Sequence, residues 1–258
     1  MSYSNICIVC EGFCKRCRQK ICICKPNNIR WIKQFRNKIK NISNELKENA
    51  NEEEAKFIDE FFKMQSQGKL FSQVNNFYFA EECKEIMDYG KKIKTKFEPI
   101  NFDGKQNRFQ KTLFNYNVDK KINVKQIPQP ITKIINAIVK VHPKTKTIIF
   151  KILKSIGICE EQTIHTDDKY LSSRETKINY CNCSFSILVA LEPNENITQL
   201  ISYENNNKKI LIIKQGSLMC WRGDFAHAGA RYENENIRLF IAIGTEEYPN
   251  DGEDVGLL

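Results

Sequence analysis

The hydrophobic pattern of this 258-residue chain changes its period near Thr147. Before that point, apolar residues recur at steps of three and four, and after it they alternate with polar residues. The first spacing places side chains on one face of a helix, and the second places them on one face of a strand. The chain is therefore expected to combine a helical first part with a second part built of strands.

The second part contains short segments with strand character, separated by turn-forming stretches such as Asn205-Asn-Asn and Gln215-Gly. The predicted strands are Thr147–Lys154, Gln162–Asp167, Phe185–Leu191, Gln199–Glu204, Lys209–Lys214, Ser217–Trp221, Phe225–Gly229 and Ile237–Gly244. Eight short strands behind a helical half favour an α+β fold. Its core would be a double-stranded β-helix (jelly roll) buttressed by N-terminal helices.

The helical half is predicted from four stretches of sequence. An apolar face runs from Trp31 to Leu46, acidic residues start a helix at Asn51, and further helices are expected at Ala80–Tyr89 and Ile131–Val141. The stretch Asn101–Lys111 is polar and rich in turn-forming residues, so no regular element is expected there.

The net charge of +9 is unevenly distributed. Residues 1–50 contain eleven Lys and Arg against three Glu, a net charge of +8, whereas residues 245–258 carry five acidic residues. A basic arm of this kind suits nucleic acid or an acidic protein, although a solvated cationic terminus without a partner explains the charge equally well.

The hydrophobic content of 41%, without a long apolar run or a secretory leader, indicates a globular protein that is not embedded in a membrane. We expect this protein to be intracellular, in the cytoplasm or the nucleus.

Six of the eleven cysteines lie within eighteen residues near the N-terminus. They are Cys7, Cys10, Cys14, Cys17, Cys22 and Cys24. The spacing is too compact for an ordinary zinc finger, but six close thiolates could hold one or two Zn²⁺ ions. Unliganded or redox-active cysteines are the alternative.

These patterns together predict four parts of the chain. They are a cysteine-rich basic segment (1–28), a helical support region (29–146), a jelly-roll core (147–246) and an acidic tail (247–258).

Two of the three histidines occupy informative positions in the predicted strands. His165 and Asp167 form an H-x-D pair, which alternation places on one face of a strand. His227 follows sixty-two residues later, within a glycine-rich stretch that begins at Gly216. Two imidazoles and one carboxylate form the facial triad that suits Fe(II), because three coordination positions stay open.

A buried cation is expected on the strand that follows His227. Arg238 shares a strand face with Phe240 and Ala242, and a cation inside a barrel requires an anionic partner. A carboxylate bound through two parallel hydrogen bonds would be the best such partner.

With these residues, the sequence over 147–246 resembles the 2-oxoglutarate/Fe(II)-dependent oxygenases. The likeness rests on the order and spacing of His165, Asp167, His227 and Arg238, and on the phrases Arg222-Gly-Asp, His227-Ala-Gly and Asn236-Ile-Arg-Leu. It implies that the first three residues bind iron and that Arg238 anchors the distal carboxylate of 2-oxoglutarate. It further implies that O₂ and 2-oxoglutarate are consumed, that succinate and CO₂ are released, and that a substrate is hydroxylated or demethylated. The basic, cysteine-rich arm beside the predicted core favours a macromolecular substrate, either nucleic acid or protein.

The sequence departs from the family pattern in one position. Many relatives carry Ser two residues after the anchoring arginine, where this chain has Phe240, so Tyr180 or Tyr170 is expected to supply the missing hydrogen bond. Arg231 is a weaker candidate for the anchor. The AlkB-type repair enzymes carry two arginines much further beyond the second histidine, and the sequence lacks that pattern, which disfavours nucleobase demethylation.

The competing hypothesis is a catalytically inactive, cupin-like jelly roll that works as a binding module and associates with nucleic acid through its basic arm. In such a protein, Arg238 would pair with Asp167 or Asp224, and His227 would be an ordinary core histidine.

Overall fold

The structure, a computed structural model, describes residues 37, 40–67, 69–100, 103–119, 127–168, 183–204, 207–250 and 256–257. The cysteine cluster between Cys7 and Cys24 lies outside the described residues, so the zinc hypothesis stays a prediction. Tyr170 and Tyr180 also lie outside them.

Four helices belong to the described part of the chain. They are α1 (40–47), α2 (Glu52–Gln67), α3 (Ala80–Lys92) and α4 (Gln129–Val141). Glu52, Glu53 and Glu54 occupy the first turn of α2, where the helix dipole favours negative charge. The Asn51 side chain also accepts a hydrogen bond from the Glu54 backbone N–H at 2.8 Å, which caps this helix. Among the described residues, no helix has both the length and the apolar character needed to cross a bilayer.

The strands form two antiparallel sheets. They are β1 (Phe71–Val74), β2 (Glu98–Pro99), β3 (Arg108–Asn117), β4 (Thr145–Ser155), β5 (His165–Thr166), β6 (Phe185–Ala190), β7 (Thr198–Glu204), β8 (Asn207–Ile213), β9 (Leu218–Arg222), β10 (His227–Gly229), β11 (Asn236–Thr245) and β12 (Gly256–Leu257). The seven-stranded sheet has the order β1-β9-β6-β11-β4-β3-β2, and the five-stranded sheet has the order β12-β5-β10-β7-β8. Strands β4 to β11 correspond to the eight predicted strands, so the predicted jelly roll is present.

The sequence prediction was wrong at β3. Part of the stretch predicted to be irregular belongs to this strand, which pairs with β4 from Arg108↔Ser155 to Asn117↔Thr147. The strand is polar in sequence because it buries two cations, Arg108 and Lys111, that donate hydrogen bonds to backbone carbonyls. Lys111 Nζ, for example, donates to the Gly90 carbonyl at 2.8 Å, at the end of α3. The acidic tail also contributes β12, which pairs with β5.

The helices cover one face of the seven-stranded sheet, and the other face lines the interior of the jelly roll. On β11, Leu239, Ile241 and Ile243 belong to the main hydrophobic cluster, together with residues of α2, α3 and α4. The alternate residues of the strand, Arg238 and Phe240, therefore point into the jelly roll. This alternation places a cation inside the fold.

Gly216 lies against the backbone of Tyr78, where the jelly roll packs on the helical half. A substitution at Gly216 therefore tests this packing. It has a φ of +73°, and a Cβ at this position would lie 2.0 Å from the Tyr78 carbonyl oxygen. We expect Gly216→Ala to lower the free energy of unfolding by about 3 kcal/mol or more, from left-handed strain plus the clash. Gly157→Ala is the matched control, because Gly157 has a φ of +59° and open space around it. It should cost only about 1–2 kcal/mol in urea unfolding, and equal losses for the two variants would contradict the packing described here.

Candidate metal centre and anion-binding cavity

The fold brings together two histidines and one aspartate from separate parts of the sequence. His165 on β5 lies directly opposite His227 on β10, and their ring centroids are 4.5 Å apart. Asp167 follows immediately after β5, which is shorter than the predicted strand. One ligand atom from each of the three residues lies within 4.8 Å of the other two. This grouping has the dimensions of a metal site.

Hydrogen bonds fix the orientation of both imidazole rings. The Nδ1–H of His165 donates to the Thr163 carbonyl at 2.8 Å, and the Nδ1–H of His227 donates to the Phe225 carbonyl, also at 2.8 Å. Because a carbonyl only accepts hydrogen bonds, Nδ1 carries the proton, and Nε2 keeps its lone pair. Both rings therefore present Nε2 as a basic nitrogen. Histidine ligands of metals usually donate a hydrogen bond from their other ring nitrogen in this way.

The Asp167 carboxylate is held by a different partner. Its Oδ2 accepts a hydrogen bond from the indole N–H of Trp221 at 2.7 Å, while its Oδ1 lies 3.5 Å from Nε2 of His227. Oδ1 is thus the oxygen that lies beside the His227 imidazole. Burial, reinforced by the neighbouring His227, lowers the pKa of His165. This ring is therefore neutral at physiological pH, as a metal ligand must be.

The donor set fits a divalent first-row metal such as Fe(II). Two neutral nitrogens and one carboxylate oxygen on one side of an ion leave up to three coordination positions for other molecules. Three protein ligands of this type also bind catalytic zinc.

A cavity of about 310 Å³ extends from the triad between the two sheets. Its apolar walls are Leu153, Leu188, Leu200, Trp221 and Phe240. Its polar lining includes Gln110, Gln162, Gln199 and Arg238, and residues of β2 border it as well. The sequence analysis found Arg238 but none of the glutamines, because isolated glutamines in a strand pattern carry no distinctive signal.

Arg238 is buried in the cavity wall with only 4% of its surface exposed. Its guanidinium donates to Ser155 Oγ at 3.1 Å and to Asn236 Oδ1 at 3.2 Å, and it lies 5.0 Å from the ring centroid of Tyr232. These partners are neutral, and within the described ranges no carboxylate pairs with it. A buried cation without an anion is costly, so the arrangement favours an anionic ligand in the cavity.

The competing assignments of the sequence analysis find no support in this geometry. Asp224 forms an ion pair with Arg222, and Asp167 bonds to Trp221, so neither is the partner of Arg238. Arg231 is exposed and pairs with Glu233 at 2.9 Å. Of the two arginines considered, Arg238 is the one placed to hold an anion in the cavity.

A second buried arginine was missed by the sequence analysis. Arg108 is 1% exposed and donates through Nη2 to the carbonyls of Glu160 and Ala230, both at 2.6 Å. Its Nη1 has no hydrogen-bond partner among the described residues. Burial, with a smaller contribution from Arg238, lowers the pKa of Arg108 to about 10, so it still carries its charge at neutral pH. The charge of Arg108 therefore adds to that of Arg238, which lines the cavity, and makes the local potential more positive.

Comparison with known proteins gives matches to solved structures but none to family profiles or curated sequences. No protein-family profile matches the chain, and no curated protein sequence matches it. Solved structures do match. A prolyl-4-hydroxylase from Pseudomonas putida is similar with a TM-score of 0.52 and 10% identity, over 69% of this chain and 93% of the hydroxylase.

Two further structures show the same likeness. HygX from Streptomyces hygroscopicus, with nickel and 2-oxoglutarate bound, has a TM-score of 0.52 and 10% identity, over 78% of this chain and 95% of its own. A prolyl hydroxylase from Trichoplax adhaerens, in complex with a peptide fragment of hypoxia-inducible factor, has a TM-score of 0.51 and 11% identity, over 78% and 92%. The chain thus has the jelly-roll fold of the 2-oxoglutarate/Fe(II) oxygenases.

Proposed function

We propose that this protein is an Fe(II)- and 2-oxoglutarate-dependent dioxygenase that hydroxylates or demethylates a macromolecule and releases succinate and CO₂. One observation carries the proposal: the triad of His165, Asp167 and His227 shares a cavity with the buried cation Arg238. A metal-only hydrolase would have no need of an unpaired arginine at this place. A 2-oxo dicarboxylate needs both groups, because one end chelates the metal and the other end requires a cation.

Each group has a distinct task in this proposal. The triad would hold Fe(II), which when bound supplies the activation of O₂ and of the 2-oxo acid. Arg238 would bind the distal carboxylate of 2-oxoglutarate through parallel hydrogen bonds, and the charge of Arg108 would reinforce the positive potential there. The apolar walls at Leu188 and Phe240 would exclude water from the reacting atoms.

The size of the cavity bears on the substrate. A volume of about 310 Å³ lies at the lower end of the range for small-molecule sites, and the co-substrate would take much of it. A substrate that inserts one side chain or one base would fit such a space better than a large compact ligand. The Trichoplax adhaerens hydroxylase has been solved with a peptide fragment bound, and HygX has been solved with hygromycin B bound.

The reaction is tested with anaerobically purified full-length protein. It should bind about one Fe(II) per chain and then, on admission of O₂, convert 2-oxoglutarate slowly to succinate even without a substrate. The rival hypothesis of an inactive binding module predicts that no succinate appears. To identify the substrate, the enzyme is incubated with cell extract, and proteins, nucleosides and small molecules are scanned for a mass change that depends on 2-oxoglutarate. Hydroxylation adds one oxygen atom, and demethylation removes one CH₂ unit.

The basic arm gives a separate prediction about partners. If residues 1–50, with their net charge of +8, contact phosphates, nucleic-acid binding should weaken steeply with salt. The logarithm of the association constant should fall with the logarithm of the salt concentration, with a slope of roughly −0.9 per phosphate contact for a duplex and roughly −0.7 for a single strand. Filter binding at several salt concentrations, with a variant lacking residues 1–28 as comparison, measures this. Affinity that is insensitive to salt, or that survives the deletion, would show that residues 1–28 do not make such phosphate contacts.

A further inference from the structure

Trp221 touches the proposed metal site in two ways that the assignment of ligands does not require. The residue lies on β9, is 1% exposed and borders the cavity. Its indole N–H donates to Oδ2 of Asp167 at 2.7 Å, and its ring centroid lies 5.0 Å from that of His227. The indole therefore contacts one ligand by hydrogen bonding and a second by packing.

The hydrogen bond crosses from one sheet to the other. Strand β9 belongs to the seven-stranded sheet, whereas Asp167 follows β5 in the five-stranded sheet. A buried indole N–H needs an acceptor, and the carboxylate supplies it. Within the described part of the chain, Trp221 is the hydrogen-bond donor to the Asp167 side chain, so the orientation of this carboxylate depends on one contact.

This contact decides which oxygen of Asp167 is free. With Oδ2 bonded to the indole, Oδ1 is left beside the other ligand, 3.5 Å from Nε2 of His227. A carboxylate that binds through both oxygens would occupy an extra coordination position. Holding one oxygen away from the ion keeps that position open for other ligands.

We propose that Trp221 is a positioning residue, whose indole N–H orients Asp167 so that a single oxygen faces the metal. The inference rests on the proposed metal site at His165, Asp167 and His227. It adds to that proposal a residue whose indole N–H contacts a metal ligand and would contact neither the metal nor the co-substrate. Hydrogen-bonding partners of metal ligands typically change metal affinity by about 10–100-fold when they are removed.

The test measures metal affinity rather than turnover. Mn(II) or anaerobic Fe(II) is titrated into the full-length protein by calorimetry, and the parent is compared with Trp221→Phe, which keeps an aromatic ring and removes the N–H. We expect the Kd for the metal to rise about tenfold or more. Trp31→Phe, at the other tryptophan of the chain, is the matched control and should leave the Kd unchanged.

A second variant separates the N–H from the shape of the ring. In the Trp31→Phe background, Trp221 is replaced during expression by 3-benzothienylalanine, which has nearly the same shape but carries sulfur in place of N–H. It should weaken metal binding as strongly as Trp221→Phe does. This variant also keeps the test valid if Trp221→Phe folds poorly. Fluorescence gives an independent readout, because in the Trp31→Phe protein Co(II) at the site should quench the emission of Trp221 strongly.

The outcomes separate this inference from the proposed function. If the parent binds metal and both Trp221 variants bind it equally tightly or more tightly, Trp221 does not position Asp167 and the inference fails alone. If only Trp221→Phe weakens binding, packing of the ring is responsible and the inference also fails. If the parent binds no metal at all, the proposed function and the inference fall together.

Discussion

Replacing His165 or Asp167 with alanine is expected to lower the affinity for Fe(II) by a factor of about a hundred or more. Each change removes one of three protein ligands, which is a larger loss than the 10–100-fold cost of removing a residue that only supports a ligand. The conversion of 2-oxoglutarate to succinate should be lost in parallel. Calorimetry under anaerobic conditions measures the first effect, and chromatography of succinate measures the second.

The third histidine of the chain provides the matched control. His142 follows α4, is buried and packs against Phe61 and Phe185 in the main core, away from the triad. His142→Ala should destabilise the protein but leave its metal stoichiometry intact. Tight Fe(II) binding that survives both His165→Ala and Asp167→Ala would show that the ligands have been assigned wrongly.

Replacing Arg238 with alanine is expected to raise the KM for 2-oxoglutarate about a hundredfold, with Fe(II) binding retained. This corresponds to roughly 3 kcal/mol, the scale of a lost hydrogen bond to a charged group in a buried site. Arg238→Lys keeps the charge but loses the planar pair of donors, so it should give an intermediate KM. Steady-state kinetics of succinate release at varied 2-oxoglutarate concentration measures both.

Arg231→Ala serves as the comparison, because Arg231 is exposed and paired with Glu233. It should change the KM little. A larger effect from Arg231→Ala than from Arg238→Ala would move the anchor to Arg231. If neither change altered the dependence on 2-oxoglutarate while iron still bound, the cavity would belong to another kind of jelly-roll metalloprotein.

The sequence predicted the parts of the fold that depend on local periodicity. Alternation over β11 located its interior face, and with it the position of Arg238, because the side chains of a strand point alternately to its two sides. The same rule grouped His165 with Asp167, although β5 itself covers only His165–Thr166. Which strand would bring His227 opposite His165 came from the resemblance to a known family, since pairing between distant strands has no local signature.

Other features of the site depend on tertiary contacts, which a hydrophobic pattern does not encode. Arg108 lies in a stretch that has the composition of a polar loop, yet it is buried, and its Nη2 donates to the carbonyls of Glu160 and Ala230. Trp221 was predicted to lie on a strand, but its bond to Asp167 joins two sheets and so could not follow from its own segment. The contacts that tune the proposed site are therefore the part that needed the structure.

The most direct test of the proposed function follows the oxygen atoms. Loss of CO₂ from 2-oxoglutarate without oxidation would leave an aldehyde, so formation of succinate requires one added oxygen atom at the former keto carbon. The full-length, Fe(II)-loaded protein is incubated with 2-oxoglutarate under ¹⁸O₂, and the mass of the succinate is measured by mass spectrometry. We expect succinate that carries one ¹⁸O atom and is absent from the Asp167→Ala reaction. Unlabelled succinate, or no succinate from iron-loaded protein, would contradict the assignment as a 2-oxoglutarate-dependent dioxygenase.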